Sequence, residues 1–313
     1  MRQSLSKESE SQVVAARGLV KRFGRARALD GLDLTVEKGE SHGFLGSNGA
    51  GKSTTIRAIL GQLRLDAGSL SVFGRHPRRD AVAIHAQLAY VPGDTALWPG
   101  LTGGECIDLI GRFSGRQDRR RRDELIDAFE LDPTKRARSY SKGNRQKVAL
   151  VAALATRAPL LLLDEPTSGL DPVMESVFVA EVRRARDDGA TVLLSSHILD
   201  EVEALCDRVT IIRGGRTVST GTLADLRAHT SSTIDVTTPA PFPAPPGAGS
   251  VTTRALATGV RTTFTIHPAA LPDALTVVAQ ARPVHVVVRP PSLDELFLEH
   301  YVDEKGQDAE AAA

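Results

Sequence analysis

The chain has 313 residues, of which 41% are hydrophobic and 25% charged, with a formal net charge of +1. That length suits a main domain plus a smaller one, and so even a charge balance argues against a dedicated nucleic-acid binder. Two cysteines, Cys106 and Cys206, stand far apart and outside any Cys-x-x-Cys pattern, which excludes a disulfide framework or a cysteine zinc site and suits a reducing compartment.

Residues 1–12, "MRQSLSKESESQ", are polar, lack the apolar core of a secretory signal, and are expected to be a disordered tail. No stretch reaches the ~18 apolar residues of a membrane span. From Val13 to about Leu226, short apolar β-type runs alternate with helical patterns, which predicts a parallel sheet covered by helices. "SHGFLG" (41–46) reads as a strand, and "STTIRAILGQL" (53–63) as a helix with apolar residues three and four apart.

Residues 95–140 are charged and helical with no convincing strand, so they read as a helical insertion. The run Arg119 to Arg122 is expected to be a solvated face, offset by Asp118, Asp123, Glu124 and Asp127. Trp98 and Tyr140 are expected to pack that insertion, and His42 to be a packed side chain of its strand. "PLLLLDE" (159–165) has the continuous apolarity of a strand buried on both faces, and "ATVLLSSH" (190–197) reads as another strand. "CDRVTIIRGGRTVSTG" (206–221) reads as a hairpin turning at Gly-Gly.

Composition changes after residue 230. "TTPAPFPAPPGAGS" (237–250) cannot pack a core and reads as a linker or long loop. Strand, helix, strand and helix are expected beyond it, within an accessory α+β domain at 228–302, followed by a polar tail at 303–313.

The chemistry begins at "GSNGAGKST" (46–54), which matches Gly-x-x-x-x-Gly-Lys-Ser/Thr between a predicted strand and a predicted helix. Gly46, Gly49 and Gly51 let the backbone wrap a phosphate chain, with Ser47, Asn48 and Ala50 supplying further N–H groups. The helix that follows, opened by Lys52, Ser53 and Thr54, adds its N-terminal dipole. Lys52 would sit on the β- and γ-phosphates of ATP, and the Ser53 hydroxyl on Mg²⁺. At the end of "LLLLDE", Asp164 would hold Mg²⁺ and Glu165 would be the base that activates water.

With these residues in place the sequence resembles the ATP-binding subunits of ABC transporters over about residues 13–227. "YSKGNRQKVAL" (140–150) looks like a variant of that family's signature motif, with Ser141, Lys142, Gly143 and Asn144 at its core and Gln146 following. "SGLD" (168–171) looks like its D-loop, ending in Asp171, and "LLSSHILDEVE" (193–203) like its switch, with His197 reaching the γ-phosphate. Phe23 stands where the family stacks an aromatic ring on adenine.

The resemblance implies a P-loop NTPase core with an antiparallel β part, a helical insertion and a small C-terminal α+β domain. It also implies head-to-tail pairing, in which Ser141 and Gly143 touch the γ-phosphate held by Lys52 of a second cassette. With a single phosphate loop in the chain, a homodimer is the simplest source of that cassette. One departure stands out: Gly93 and Asp94 occupy the place of the family's usual glutamine, and Asp94 could keep an oxygen near the metal through water.

Together with "PPSLDELFLEHY", the signature variant resembles the bacterial drug-export group. That implies a separate integral membrane permease, met by the insertion, and a cytoplasmic place on the inner face of the membrane. A ribosome-acting ATPase would carry two cassettes and a DNA-repair type a long coiled coil. A nucleotide-gated binding module working through its C-terminal domain is the remaining alternative.

Overall fold

In the computed structural model, the structure describes residues 11–228, 231–257 and 259–289. The chain divides into two compact units, Met1–Thr220 and Gly221–Ala313.

The first unit holds two sheets. An antiparallel one has the order β2 (Ala26–Glu37), β1 (Gln12–Phe23), β4 (Ala67–Val72). The larger has the order β5 (Leu88–Val91), β6 (Leu160–Asp164), β7 (Thr191–Ser196), β3 (Ser41–Leu45), β8 (Arg208–Arg213), β9 (Arg216–Thr222). Neighbours from β5 to β8 run parallel, while β8 and β9 are joined through Gly214 and Gly215, both in the left-handed region.

Every residue of β3, β6 and β7 is buried. Their continuous apolar runs are what a sheet covered on both faces requires. Each fully buried leucine of Leu160–Leu163 contributes about 1.5–3 kcal/mol relative to exposure. Because all five strands point the same way, their carboxyl ends gather at one edge, and the loops there carry the site.

Helix α1 (Lys52–Ile59) follows β3, and α2 (Ala81–His85) precedes β5. α1 stops short of the expected Leu63 because Gly61 turns the chain at φ 72, where a Cβ would meet the Pro77 carbonyl. The 95–140 region folds as α3 (Gly103–Ser114) and α4 (Arg119–Ala128), followed by a short 3₁₀ turn at Ala137–Ser139. A capping box opens α3: Thr102 N–H donates to Glu105 at 2.7 Å, and Glu105 N–H to Thr102 Oγ1 at 3.2 Å. α5 (Lys142–Leu154), α6 (Pro172–Asp187) and α7 (Leu199–Leu205) complete the unit.

Two expectations about the insertion are corrected. Arg121 is buried, with its guanidinium donating to Glu181 of α6, so the arginine run is not a uniformly solvated face. Packing α4 against the rest of the unit turns that one arginine inward and forces it to find a carboxylate. Tyr140 does pack, its hydroxyl donating to the Asp132 carbonyl at 2.5 Å, but Trp98 is 46% exposed.

The second unit begins with α8 (Leu223–Ala228). Its antiparallel sheet has the order β11 (Ala248–Leu256), β12 (Gly259–Ile266), β10 (Ser232–Thr238), β13 (His285–Arg289). α9 (Leu271–Gln280) supplies Ala274 and Val278 to a core with Ile234, Val236, Phe264 and Ile266. β10 and β11 flank the linker expected at 237–250 and take over its two ends, so the Pro-rich stretch shrinks to the connection between Thr238 and Ala248. β1 starts at Gln12, inside the expected tail. Residues 1–10, the expected last helix in "PPSLDELFLEHY" and the tail at 303–313 lie outside the described residues.

Candidate functional site

The phosphate-loop sequence joins β3 to α1. Gly51 stands at the helix N-cap with φ 113 and no side-chain cap. A helix leaves its first N–H groups without intrahelical partners, so an uncapped start offers those donors and the positive dipole end to an anion. Gly51 is required on two counts, because that φ disfavours a side chain and a Cβ would meet the Ala28 carbonyl at 2.8 Å. Gly46 and Ala50 are buried, while Ser47, Asn48 and Gly49 are exposed. Ser53 is exposed and Thr54 half-buried on the first helical turn. Lys52 is buried, its ammonium donating to the Gly46 carbonyl at 2.6 Å and the Ser47 carbonyl at 3.3 Å.

Three neighbouring strand ends bring the remaining charges together. Asp164 closes β6 and accepts the Ser195 hydroxyl of β7 on Oδ1 at 2.5 Å. Glu165 follows at φ 47, an unusual backbone for a residue with a Cβ, and its N–H donates to the Ser195 carbonyl at 2.9 Å. Strain of this kind persists only where surrounding structure imposes it, and it gathers at active sites. The Glu165 carboxylate lies 3.6 Å from Lys52 Nζ and 3.4 Å from His197 Nδ1. Burial, and then the charge of Asp164, pushes the Tyr90 hydroxyl of β5 up to about 12, so that group stays protonated and neutral.

The signature stretch is built around a different loop. Ser141 caps α5, accepting from Asn144 N–H at 3.3 Å, and its own proton has no acceptor among the described residues. Lys142 Nζ donates to Ser168 Oγ at 2.6 Å. Gly143 packs so close to Gly169 that a Cβ would collide with the Gly169 carbonyl. Asp171 caps α6, accepting from Val173 and Met174 N–H at 3.0 Å each. Among the described residues, no hydrogen bond or ion pair links Ser141–Asn144 with the phosphate loop of the same chain.

Gln146 is buried and ties three segments together. Its amide donates to the Pro92 carbonyl at 3.2 Å and the Pro166 carbonyl at 3.0 Å, and accepts Thr95 Oγ1 at 2.7 Å. It thus fastens the 92–95 turn beside Glu165. A Cβ on Gly93 would lie 3.0 Å from the Asp164 carbonyl, so this glycine is what lets the turn approach. Asp94 is exposed and makes no side-chain bond to a described residue. Phe23, half-exposed near the β1–β2 turn, has the Lys21 ammonium 5.3 Å from its ring centre.

Sequence reasoning missed Ser195, Thr95, Thr167 and Glu201. Glu201 accepts from Thr167 and, at 2.7 Å, from Ser196, whose Oγ also accepts the Ile198 N–H at 2.9 Å. These bonds bracket His197. The signal was two consecutive serines ending an otherwise apolar strand. His42, by contrast, is a satisfied buried side chain, 2.8 Å from both Glu40 and Thr210.

The donors suit Mg²⁺. Asp164 Oδ2 has no protein partner among the described residues and Ser53 is exposed, so two oxygens are available beside the phosphate position. Mg²⁺ is commonly held by one or two protein oxygens plus phosphate and water.

Comparison with known proteins gives the same picture. Residues 29–168 match the family described as ABC transporter. The chain is 41% identical over 225 residues to the daunorubicin resistance ATP-binding protein DrrA3 of Streptomyces coeruleorubidus, covering 70% of this chain and 71% of that one. It is 34% identical to the linearmycin resistance ATP-binding protein LnrL of Bacillus subtilis, covering 68% and 70%. A solved structure described as the ATP binding subunit of an ABC transporter superposes with TM-score 0.65 at 32% identity, covering 69% of this chain and 92% of that one.

Proposed function

The chain belongs to the ABC transporter family and is an ATPase; from that premise we propose that it powers export of a small molecule through a separate membrane permease. The observation that carries the catalytic reading is Glu165, held between Lys52 and His197 beside the strand-end Asp164.

In the proposed cycle the uncapped start of α1 and the N–H groups of residues 46–51 bind the phosphates, and Phe23 stacks on adenine. Lys52 neutralises the β- and γ-oxygens. Ser53 and Asp164 would hold Mg²⁺, with Asp94 reaching it through water; the ion would supply charge neutralisation on the transferring phosphoryl group. Glu165 orients and deprotonates the attacking water, and His197 positions both Glu165 and the γ-phosphate. Ser195 fixes the Asp164 carboxylate and leaves its second oxygen free.

Ser141, Lys142, Gly143, Asn144 and Asp171 would act on the nucleotide of a second copy, closing each site across a homodimer. The hydroxyl proton of Ser141 at a helix N-terminus suits a phosphate oxygen. Closure around nucleotide followed by reopening after hydrolysis would drive the permease. No helix among the described residues is long and apolar enough to cross a membrane, so the proposed site of action is the inner membrane face, reached through the permease. Phe113, 77% exposed on α3, and Trp98 offer the insertion an apolar contact for that subunit. Export of a drug-like cargo rests on the similarity to the resistance proteins.

The test is the solution mass of Glu165→Gln with and without ATP, alone and combined with Ser141→Arg. Mass doubling only with ATP, abolished by Ser141→Arg, is the expected result. A monomer under every condition would overturn the homodimer.

A further inference from the structure

The edge of the large sheet opposite the nucleotide loops is hollow. A cavity of about 750 Å³ opens where the chain enters β6 and β7, between Gln87, Pro159, Leu161 and Thr191. Val13, Phe73 and Leu154 add apolar wall, and Lys38, Arg121 and Arg157 bring three cations against the single carboxylate of Asp188. This volume is that of a small-molecule site, and the lining is shared almost evenly between apolar and polar surface.

The cations are not equivalent. Arg121 is committed to Glu181 and lies 3.6 Å from Glu124. Arg157 Nε lies 3.0 Å from Asp118. Lys38 is exposed and has no side-chain hydrogen bond or ion pair with a described residue, and neither has the Asp188 carboxylate, so Lys38 is the cation at the cavity that can turn to an incoming anion. The cavity's geometry is also held under strain. Phe73 at φ 50 and Arg157 at φ 47 are two of the six described non-glycine residues in the left-handed region, and a third is Glu165 of the nucleotide site. Backbone strain of this type collects at ligand clamps and active sites.

We infer that this cavity is a second ligand site, separate from the nucleotide site, for a small apolar molecule bearing one anionic group. Its apolar body lies against Val13, Phe73, Leu154 and Leu161, and its anion meets Lys38 with Arg157 close by. The four residue steps from Leu160 to Asp164 place the ligand about 13 Å of strand from the nucleotide-site carboxylate. The two sites therefore do not overlap.

The probe pair is 1-anilinonaphthalene-8-sulfonate and its uncharged counterpart N-phenyl-1-naphthylamine, titrated by fluorescence and calorimetry into the full chain with saturating ATP. The sulfonate should bind one per chain, at least tenfold more tightly than the neutral probe. Lys38→Glu should remove that preference, and Ala185→Phe, which adds bulk at the cavity wall, should weaken both probes at least tenfold. Neither residue belongs to the nucleotide machinery, so both variants should keep ATP hydrolysis within twofold, which also reports that they fold. Three results would each overturn the proposal: no saturable one-to-one binding, displacement of the probe by ATP, or wild-type affinity in both variants. Binding that appears only after removal of residues 1–10 would assign the cavity to the chain's own terminus and overturn it as well.

Discussion

At the scale of single residues, Glu165 gathers the most constraints. Its backbone sits at φ 47, its N–H is bonded to β7, and its carboxylate lies between a lysine and a histidine. A carboxylate so placed can take a proton from water, and an amide of the same shape cannot. Glu165→Gln should therefore lower ATP turnover by at least ~10²-fold while leaving nucleotide affinity near wild type; turnover within tenfold of wild type would exclude Glu165 as the base. The cysteines illustrate the opposite case, burial without chemistry. Burial pushes the Cys206 thiol up to about 12 and raises that of Cys106, so neither supplies thiolate near neutral pH. In native protein at pH 8 both should resist a thiol reagent over minutes, and unfolding should release two reactive thiols; fast native labelling of either would contradict this.

At the scale of elements, the start of α5 is a junction. Gln146 holds the turn before Thr95 and the turn after Glu165 in one grip, and Gly143 abuts Gly169. Gln146→Leu keeps the volume but strands the buried Pro166 carbonyl, while the Thr95 hydroxyl and the Pro92 carbonyl, 3.4 Å apart, can still pair. A buried group so stranded costs about 1–3 kcal/mol, so Tm should fall by several degrees. If Gln146 also positions Glu165, kcat should fall while KM for ATP stays; an unchanged kcat at a lowered Tm would reduce its role to structure alone.

In the second unit β10 places Asp235 between Arg261 and Arg289. The Arg261 hydrogen bond outweighs burial and holds the Asp235 carboxyl below its ordinary value. A depressed carboxylate stabilises the fold fully above its unfolded value and loses that contribution as pH falls through its folded value. Melting curves of the full chain should therefore decline below about pH 4, and Asp235→Asn should flatten the decline. Wild-type and variant curves that stay parallel down to pH 3 would remove Asp235 as a cause.

At the scale of the whole molecule, the division into Met1–Thr220 and Gly221–Ala313 separates the nucleotide machinery from a sheet with its own core. Acid sensitivity spans both, since Asp30, Asp118 and Glu124 are held below their ordinary values by Arg216, by the Arg121 N–H and by Arg120 respectively. These carboxylates are solvent-facing, so screening keeps each effect small and their sign shared with Asp235. Deleting residues 231–302 should leave intrinsic ATP turnover of the first unit unchanged if the second unit serves assembly or regulation, and a lost turnover would show that it supports the ATPase directly.

What the sequence by itself determined was local and periodic. The phosphate loop was legible because its glycines, Lys52 and Ser53 lie within nine consecutive residues, and β6 was legible because burial on both faces demands an unbroken apolar run. The tertiary structure alone decided everything that depends on distant segments meeting. Arg121 points inward because α6 offers Glu181, and Asp164 is held by a serine from another strand. β11 forms although "AGSVTTRAL" carries little apolar alternation, because β12 pairs with it and satisfies its backbone groups, as it does for β10 on the other side. Threonine favours strands, but which strand it joins is set by its partners: β10 pairs with β12 from Thr238↔Val260 to Ser232↔Ile266, across the whole Pro-rich connection.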